Sequence, residues 1–82
     1  MITVKFFGMM SVNNNLKSFE VKEGTVKEVL KAVMIQYPDI TAKQLKQSVM
    51  IINKKHVFGR KRLSSVLHSG DELVFLTPSS GG

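Results

Sequence analysis

The chain has no cysteine among its 82 residues. Disulfides and thiolate metal sites are therefore excluded, and stability has to come from packing. No apolar run approaches the roughly 20 residues that a membrane-spanning helix needs. The start, Met1-Ile2-Thr3-Val4-Lys5-Phe6-Phe7, alternates polar and apolar positions. It lacks the charged start, long apolar centre and small-residue cleavage site of a signal peptide. The expected location is the cytoplasm, with no membrane partner. Acidic residues are also scarce, six against twelve Lys and Arg, for a formal charge of +6. That balance reads first as a soluble basic surface, and second as a surface for an acidic partner or for non-specific attraction to nucleic acid. So short a chain has no interior to share between two cores, so it forms one domain. With 43% hydrophobic and 22% charged residues, its composition is globular.

Local patterns divide the chain into elements. Ile2, Val4 and Phe6 alternate with Thr3, Lys5 and Phe7 in the period of a strand, which Gly8 ends. Asn13-Asn14-Asn15 predicts a turn. A second alternating stretch around Phe19 and Val21 completes a hairpin. Thr25-Val26-Lys27-Glu28 has the form of a capping box. Val26, Val29, Leu30, Val33, Met34 and Tyr37 then recur at helical spacing on one face. Pro38 stops that helix at or before Tyr37. Residues 39–47, with isolated Ile40 and Leu45, read as a loop or short irregular helix. Val49 to Ile52 reads as a strand, Asn53-Lys54-Lys55 as a turn, and His56-Val57-Phe58 as a short continuation. Gly59-Arg60-Lys61-Arg62 reads as a basic loop, Leu63 to Leu67 as a turn of helix plugging the core, and Ser69-Gly70-Asp71 as a tight turn. Glu72 to Leu76 is a last strand apolar on both faces, which belongs in a sheet interior.

Strand, strand, helix, strand, strand predicts an α+β domain with one main helix packed on one face of a mixed sheet of about four strands. The β-grasp, ubiquitin-like fold has this order. It sets the first and last strands parallel at the centre, with the hairpin and helix as the crossover between them.

Residues 1–76 are expected to form this domain, and 77–82 a flexible C-terminal tail. Thr77-Pro78-Ser79-Ser80-Gly81-Gly82 holds no apolar anchor and cannot continue a strand past Pro78. A serine and glycine stretch on its own is an ordinary linker. The position of the two glycines, with nothing after them to link, gives a second reading. Six residues reach roughly 20 Å, and glycine lets another backbone approach closely. Pro78, Ser79, Ser80 and Gly81 would thread a narrow partner channel and present the Gly82 carboxylate inside it.

Gly70-Asp71-Glu72, the apolar strand, Pro78 and the closing Gly81-Gly82 resemble the C-terminus of MoaD/ThiS-type sulfur carriers. That family is ubiquitin-like and includes the small subunit of molybdopterin synthase. Gly24 to Leu30 resembles its helix start, Tyr37-Pro38 its helix end, and Val49 to Asn53 its third strand and turn. The basic segment Gly59 to Arg62 departs from the many acidic members. The resemblance implies that an E1-like adenylyltransferase, using ATP-Mg, adenylates the Gly82 carboxylate. A sulfurtransferase or persulfide donor then displaces AMP and leaves a thiocarboxylate. The large subunit of molybdopterin synthase, or another sulfur-acceptor enzyme, takes the sulfur. With no cysteine in the chain, that sulfur cannot sit on a side-chain thiol. The chain itself is implied to be a carrier, not an enzyme, and to bind no cofactor. The alternative is a ubiquitin-like modifier joined through Gly82 to lysines.

Other constellations are weak. His56 and His68 stand twelve residues apart with only Asp71 and Glu72 near either, so no metal site is expected. No Gly-x-Ser-x-Gly elbow or phosphate loop is present. Lys54, Lys55, Arg60, Lys61 and Arg62 read as two solvated loops. A nucleic-acid module would interleave aromatics with them, and only Phe58 does so. The strand and tail junction offers Phe7, Phe75 and Leu76 as partner-docking candidates. Alternation requires Phe75 and Leu76 to face opposite ways, so one of them is core.

Overall fold

The capping box at Thr25 forms as the sequence predicts. In the computed structural model, which describes residues 1–8 and 18–77, Glu28 N–H donates to Thr25 Oγ1 at 3.3 Å, and Thr25 N–H donates to Glu28 Oε1 at 2.9 Å. Helix α1 follows over Val26–Gln36 and ends at Tyr37, whose N–H bonds the Val33 carbonyl. Val26, Val29, Leu30 and Val33 are buried. They lie in one core cluster with Ile2, Val4, Phe6, Met50, Leu73 and Phe75 from the sheet. Phe6 is the aromatic centre, stacked on Phe19 at 6.0 Å and Phe75 at 5.5 Å and edge-on to Tyr37 at 6.0 Å.

Among the described residues the main sheet is the expected mixed sheet, with five strands where about four were expected. In chain order they are β1 (Ile2–Gly8), β2 (Phe19–Val21), β4 (Val49–Ile52), β5 (Lys55–Val57) and β7 (Glu72–Thr77). Across the sheet the order is β2-β1-β7-β4-β5. β1 and β7 are parallel at the centre and the other neighbours are antiparallel. β7, apolar on both faces, takes the middle place. Asn53 and Lys54 both have positive φ, 49° and 70°. They form the tight two-residue link between β4 and β5, so Lys55 belongs to the strand and not to the turn. The Asn13 to Asn15 turn lies outside the described residues.

One segment takes the second of its two readings, and two differ from expectation. Residues 42–47 are a true helix, α2 (Ala42–Gln47), because Thr41 and Gln44 form a second capping box and Leu45 anchors it in the core. The basic loop is instead the start of a 3-10 helix, Arg60–Ser64, entered through Gly59 at φ 86°. Leu63 to Leu67 is not one helical turn. Val66–Leu67 forms strand β6, paired with β3 (Gly24–Thr25), and buried Leu67 fills the core from that ribbon. No helix among the described residues is long and apolar enough to cross a membrane.

Candidate functional site

Parallel pairing orients the end of the central strand. β1 and β7 run the same way, and the last described pair is Gly8 opposite Thr77. The central strand therefore extends one residue past the expected boundary at Leu76. Pro78, Ser79, Ser80, Gly81 and Gly82, assigned above to the channel tail and the reacting carboxyl group, lie outside the described residues. What the structure supplies is the surface from which they follow.

Register sorts that surface into rows. Residues paired across strands share a face. Phe7, Leu76 and Val49 form the row nearest the tail, on the face away from α1. Lys5, Val74, Ile51 and His56 form the next. Thr3 and Glu72 follow at the far end, where Lys5 Nζ reaches Glu72 Oε2 at 2.9 Å. The face is thus apolar towards the tail and polar away from it. Phe7 is 53% exposed and Leu76 38%. One step past the Met50–Val57 pair, Phe58 prolongs the apolar end beyond β5. It is 73% exposed, with its ring edge-on to His56 at 5.1 Å. Large exposed apolar groups gathered at one end of a sheet are the usual mark of a protein-docking surface.

Phe75 requires a correction. At 1% exposed it is core, not docking surface. Its pairing partners Phe6 and Met50 point under α1, so its ring does too. Val49 and Ile51 also belong to the outer face, as the alternation of β4 shows once the partner strand is known. Phe58, noted in the sequence only beside the basic residues, joins them there next to His56.

The five basic residues grouped by sequence separate in space. β5 holds Lys55 at one end and leads to Phe58 at the other. Three residues span roughly 10 Å at the usual strand rise. Lys54 and Lys55 sit by the Asn53 turn, at the polar end. Arg60 and Arg62 lie at the apolar end, lining an open depression with Lys46, Gly59 and Leu63. There the Arg62 guanidinium donates to the Lys46 carbonyl and ties the 3-10 helix to the end of α2.

His56 lies on the outer face, while His68 sits in the β6–β7 turn beside Asp71, with Nδ1 at 3.9 Å from Oδ2. Among the described residues no three His, Cys, Asp or Glu side chains gather in a way that could hold a metal. The Asp71 carboxyl is held below the ordinary carboxylate range, first by the His68 backbone N–H and then by the Asn53 amide. Glu28 is lowered chiefly by the Thr25 backbone N–H in the capping box.

Three solved structures share this architecture. SAMP1 from Haloferax volcanii is 20% identical over 99% of this chain and 98% of that one, with TM-score 0.79. The complex of subunits 1 and 2 of molybdopterin-converting factor from Helicobacter pylori 26695 contains a chain 23% identical, covering 99% and 97%, TM-score 0.68. A chain of the BexX/CysO complex from Amycolatopsis orientalis is 23% identical, covering all of both chains, TM-score 0.69. The last two are structures of complexes. No curated protein matches the chain. The ThiS family model matches residues 4–82, from the first strand through the glycine pair. The chain is a ubiquitin-like β-grasp protein and belongs to the ThiS family.

Proposed function

We propose that this protein is a sulfur carrier whose Gly82 carboxyl group is adenylated, converted to a thiocarboxylate and used as a sulfur donor, most simply as the small subunit of a molybdopterin synthase. The observation that carries this reading is the reach of the family match to residue 82, so that it takes in Gly81-Gly82. The central strand leads towards that pair from beside an exposed apolar row.

A carboxylate is a poor electrophile at neutral pH. An E1-like adenylyltransferase with ATP-Mg supplies a leaving group. The Gly82 oxygen attacks the α-phosphorus and pyrophosphate departs. A persulfide sulfur from a sulfurtransferase then attacks the acyl carbon and AMP departs. Cleavage of the sulfur–sulfur bond by a thiol leaves the thiocarboxylate. Dividing one hard step into several easier ones is the logic of covalent catalysis. The acids, bases and ATP-bound metal belong to the partners, so the chain is a carrier and not an enzyme, and binds no cofactor of its own. The large subunit of the synthase, or another sulfur acceptor, receives the sulfur. We place these steps in the cytoplasm.

A second reading, a protein modifier joined through Gly82 to lysines, uses the same activated tail with an amine as the attacking group. Its support is the shared fold with a solved structure called small archaeal modifier protein 1, from Methanosarcina acetivorans.

Pyrophosphate release with the cognate adenylating enzyme and ATP tests the activation step that both readings need. Wild-type protein should release it, and a variant lacking Gly82 should not, with an unchanged urea midpoint. Equal release from the truncated variant would remove the proposal.

A further inference from the structure

Among the described residues, the basic side chains at the tail end of the sheet are joined to no carboxylate. Among the described residues the salt bridges join Met1 to Glu23, Lys5 to Glu72 and His68 to Asp71. None involves Lys46, Arg60 or Lys61, and all three are exposed. Arg62 is half-buried and spent on the Lys46 carbonyl. The positive charge begins where the apolar row ends. Phe58 closes that row, and Gly59 leads directly into Arg60 and Lys61. Lys46 lies in the last turn of α2, three residues before Val49 of the same row.

We propose that Lys46, Arg60 and Lys61 form the charged rim of the docking surface, and that the partner is a protein with an apolar centre bordered on one side by carboxylates. This rests on the carrier reading and adds how the partner is recognised. Phe7, Leu76, Val49 and Phe58 supply desolvated contact area. The rim charges supply long-range attraction and set which way round the partner sits, as charged rims do at other interfaces. Carboxylates bordering the partner's channel would then guide the tail to its mouth. A single-stranded nucleic acid fits less well. It needs a basic track with several stacking rings. Here the track is cut, because Lys54 and Lys55 lie at the far end of β5, and among the described residues Phe58 is the exposed ring that adjoins the basic segment, with Phe7 across the sheet on β1.

The test compares the full chain, Arg60→Glu/Lys61→Glu and Lys54→Glu/Lys55→Glu. Each is mixed with the cognate adenylating enzyme at low and high salt, and both association rate and pyrophosphate release are followed. The wild-type association rate should fall as salt rises. Reversal at 60 and 61 should lower the low-salt rate about 10-fold, while reversal at 54 and 55 changes it far less. Activation without salt dependence, or equal effects of the two reversals, overturns the rim and leaves the carrier reading standing. Absence of pyrophosphate release from wild type removes the carrier reading, and the rim with it. Tight oligonucleotide binding lost by the 60/61 variant, with enzyme association unchanged, assigns the surface to nucleic acid instead.

Discussion

Asn53 and Asp71 hold the two turns at the polar end of the sheet together. Asn53 Nδ2 donates to Asp71 Oδ1 at 3.1 Å, and Asn53 Oδ1 accepts from the Glu72 N–H at 2.9 Å. Asp71 Oδ2 also accepts the His68 N–H at 2.7 Å. The carboxyl group of the Gly-Asp-Glu motif is thereby a bolt between the β4–β5 link and the start of the central strand. The His68 backbone N–H, and after it the Asn53 amide, hold this carboxyl group below the ordinary carboxylate range in the folded protein. The stabilisation it gives is complete above the unfolded value and is lost as pH falls through the lower folded one. Asp71→Ala should lower the urea midpoint at neutral pH. The gap to wild type should narrow as pH falls below about 4. A gap that widens in acid would contradict the assignment.

The capping boxes give a second prediction. Thr25→Ala should cost about 1 kcal/mol, and Thr41→Ala a similar amount, by urea unfolding. Gly24 adds a coupling. A Cβ there would stand 2.7 Å from Glu28 Oε1, displacing the carboxylate that closes the first box. Gly24→Ala and Thr25→Ala therefore break the same feature, and their combined loss should be smaller than the sum. Full additivity would mean that the two act separately.

Phe7 and Phe75 should differ sharply in what their loss costs. Phe75→Ala removes a fully buried ring stacked on Phe6, which should cost about 3 to 5 kcal/mol. Phe7→Ala, on the exposed face, should cost roughly 1 kcal/mol or less. Similar losses by chemical denaturation would place Phe7 in the core.

The exposed row itself is tested by charge. Phe7→Glu and Leu76→Glu should fold like wild type by circular dichroism and slow pyrophosphate release with the adenylating enzyme at least about tenfold, the scale of one interface hot spot. Unchanged rates would move the docking surface elsewhere.

Much of the fold was legible because its signals are local or doubly stated. Helix α1 announces itself through the Thr25 box, the Val26 to Tyr37 stripe and Pro38. β7 announces its central place by being apolar on both faces. That same property hid the parity of Phe75 and Leu76, which pairing with β1 and β4 decides. Helix α2 is six residues long, too short for a periodic stripe around Leu45, though Thr41 and Gln44 carried its capping signature. The β3–β6 ribbon joins Gly24 to Leu67, two segments with no local pattern that links them. The basic residues 54 to 62 looked like one cluster because spacing along a chain does not register that a strand carries charge from one end of a sheet to the other.

The central claim concerns one carboxyl group, and intact mass of the protein purified from its own cells addresses it most directly. The carrier account predicts a species in which one oxygen at Gly82 is exchanged for sulfur, absent when the adenylating enzyme is deleted. Protein from cells containing that enzyme that shows only the free carboxylate, or only lysine conjugates, would contradict it.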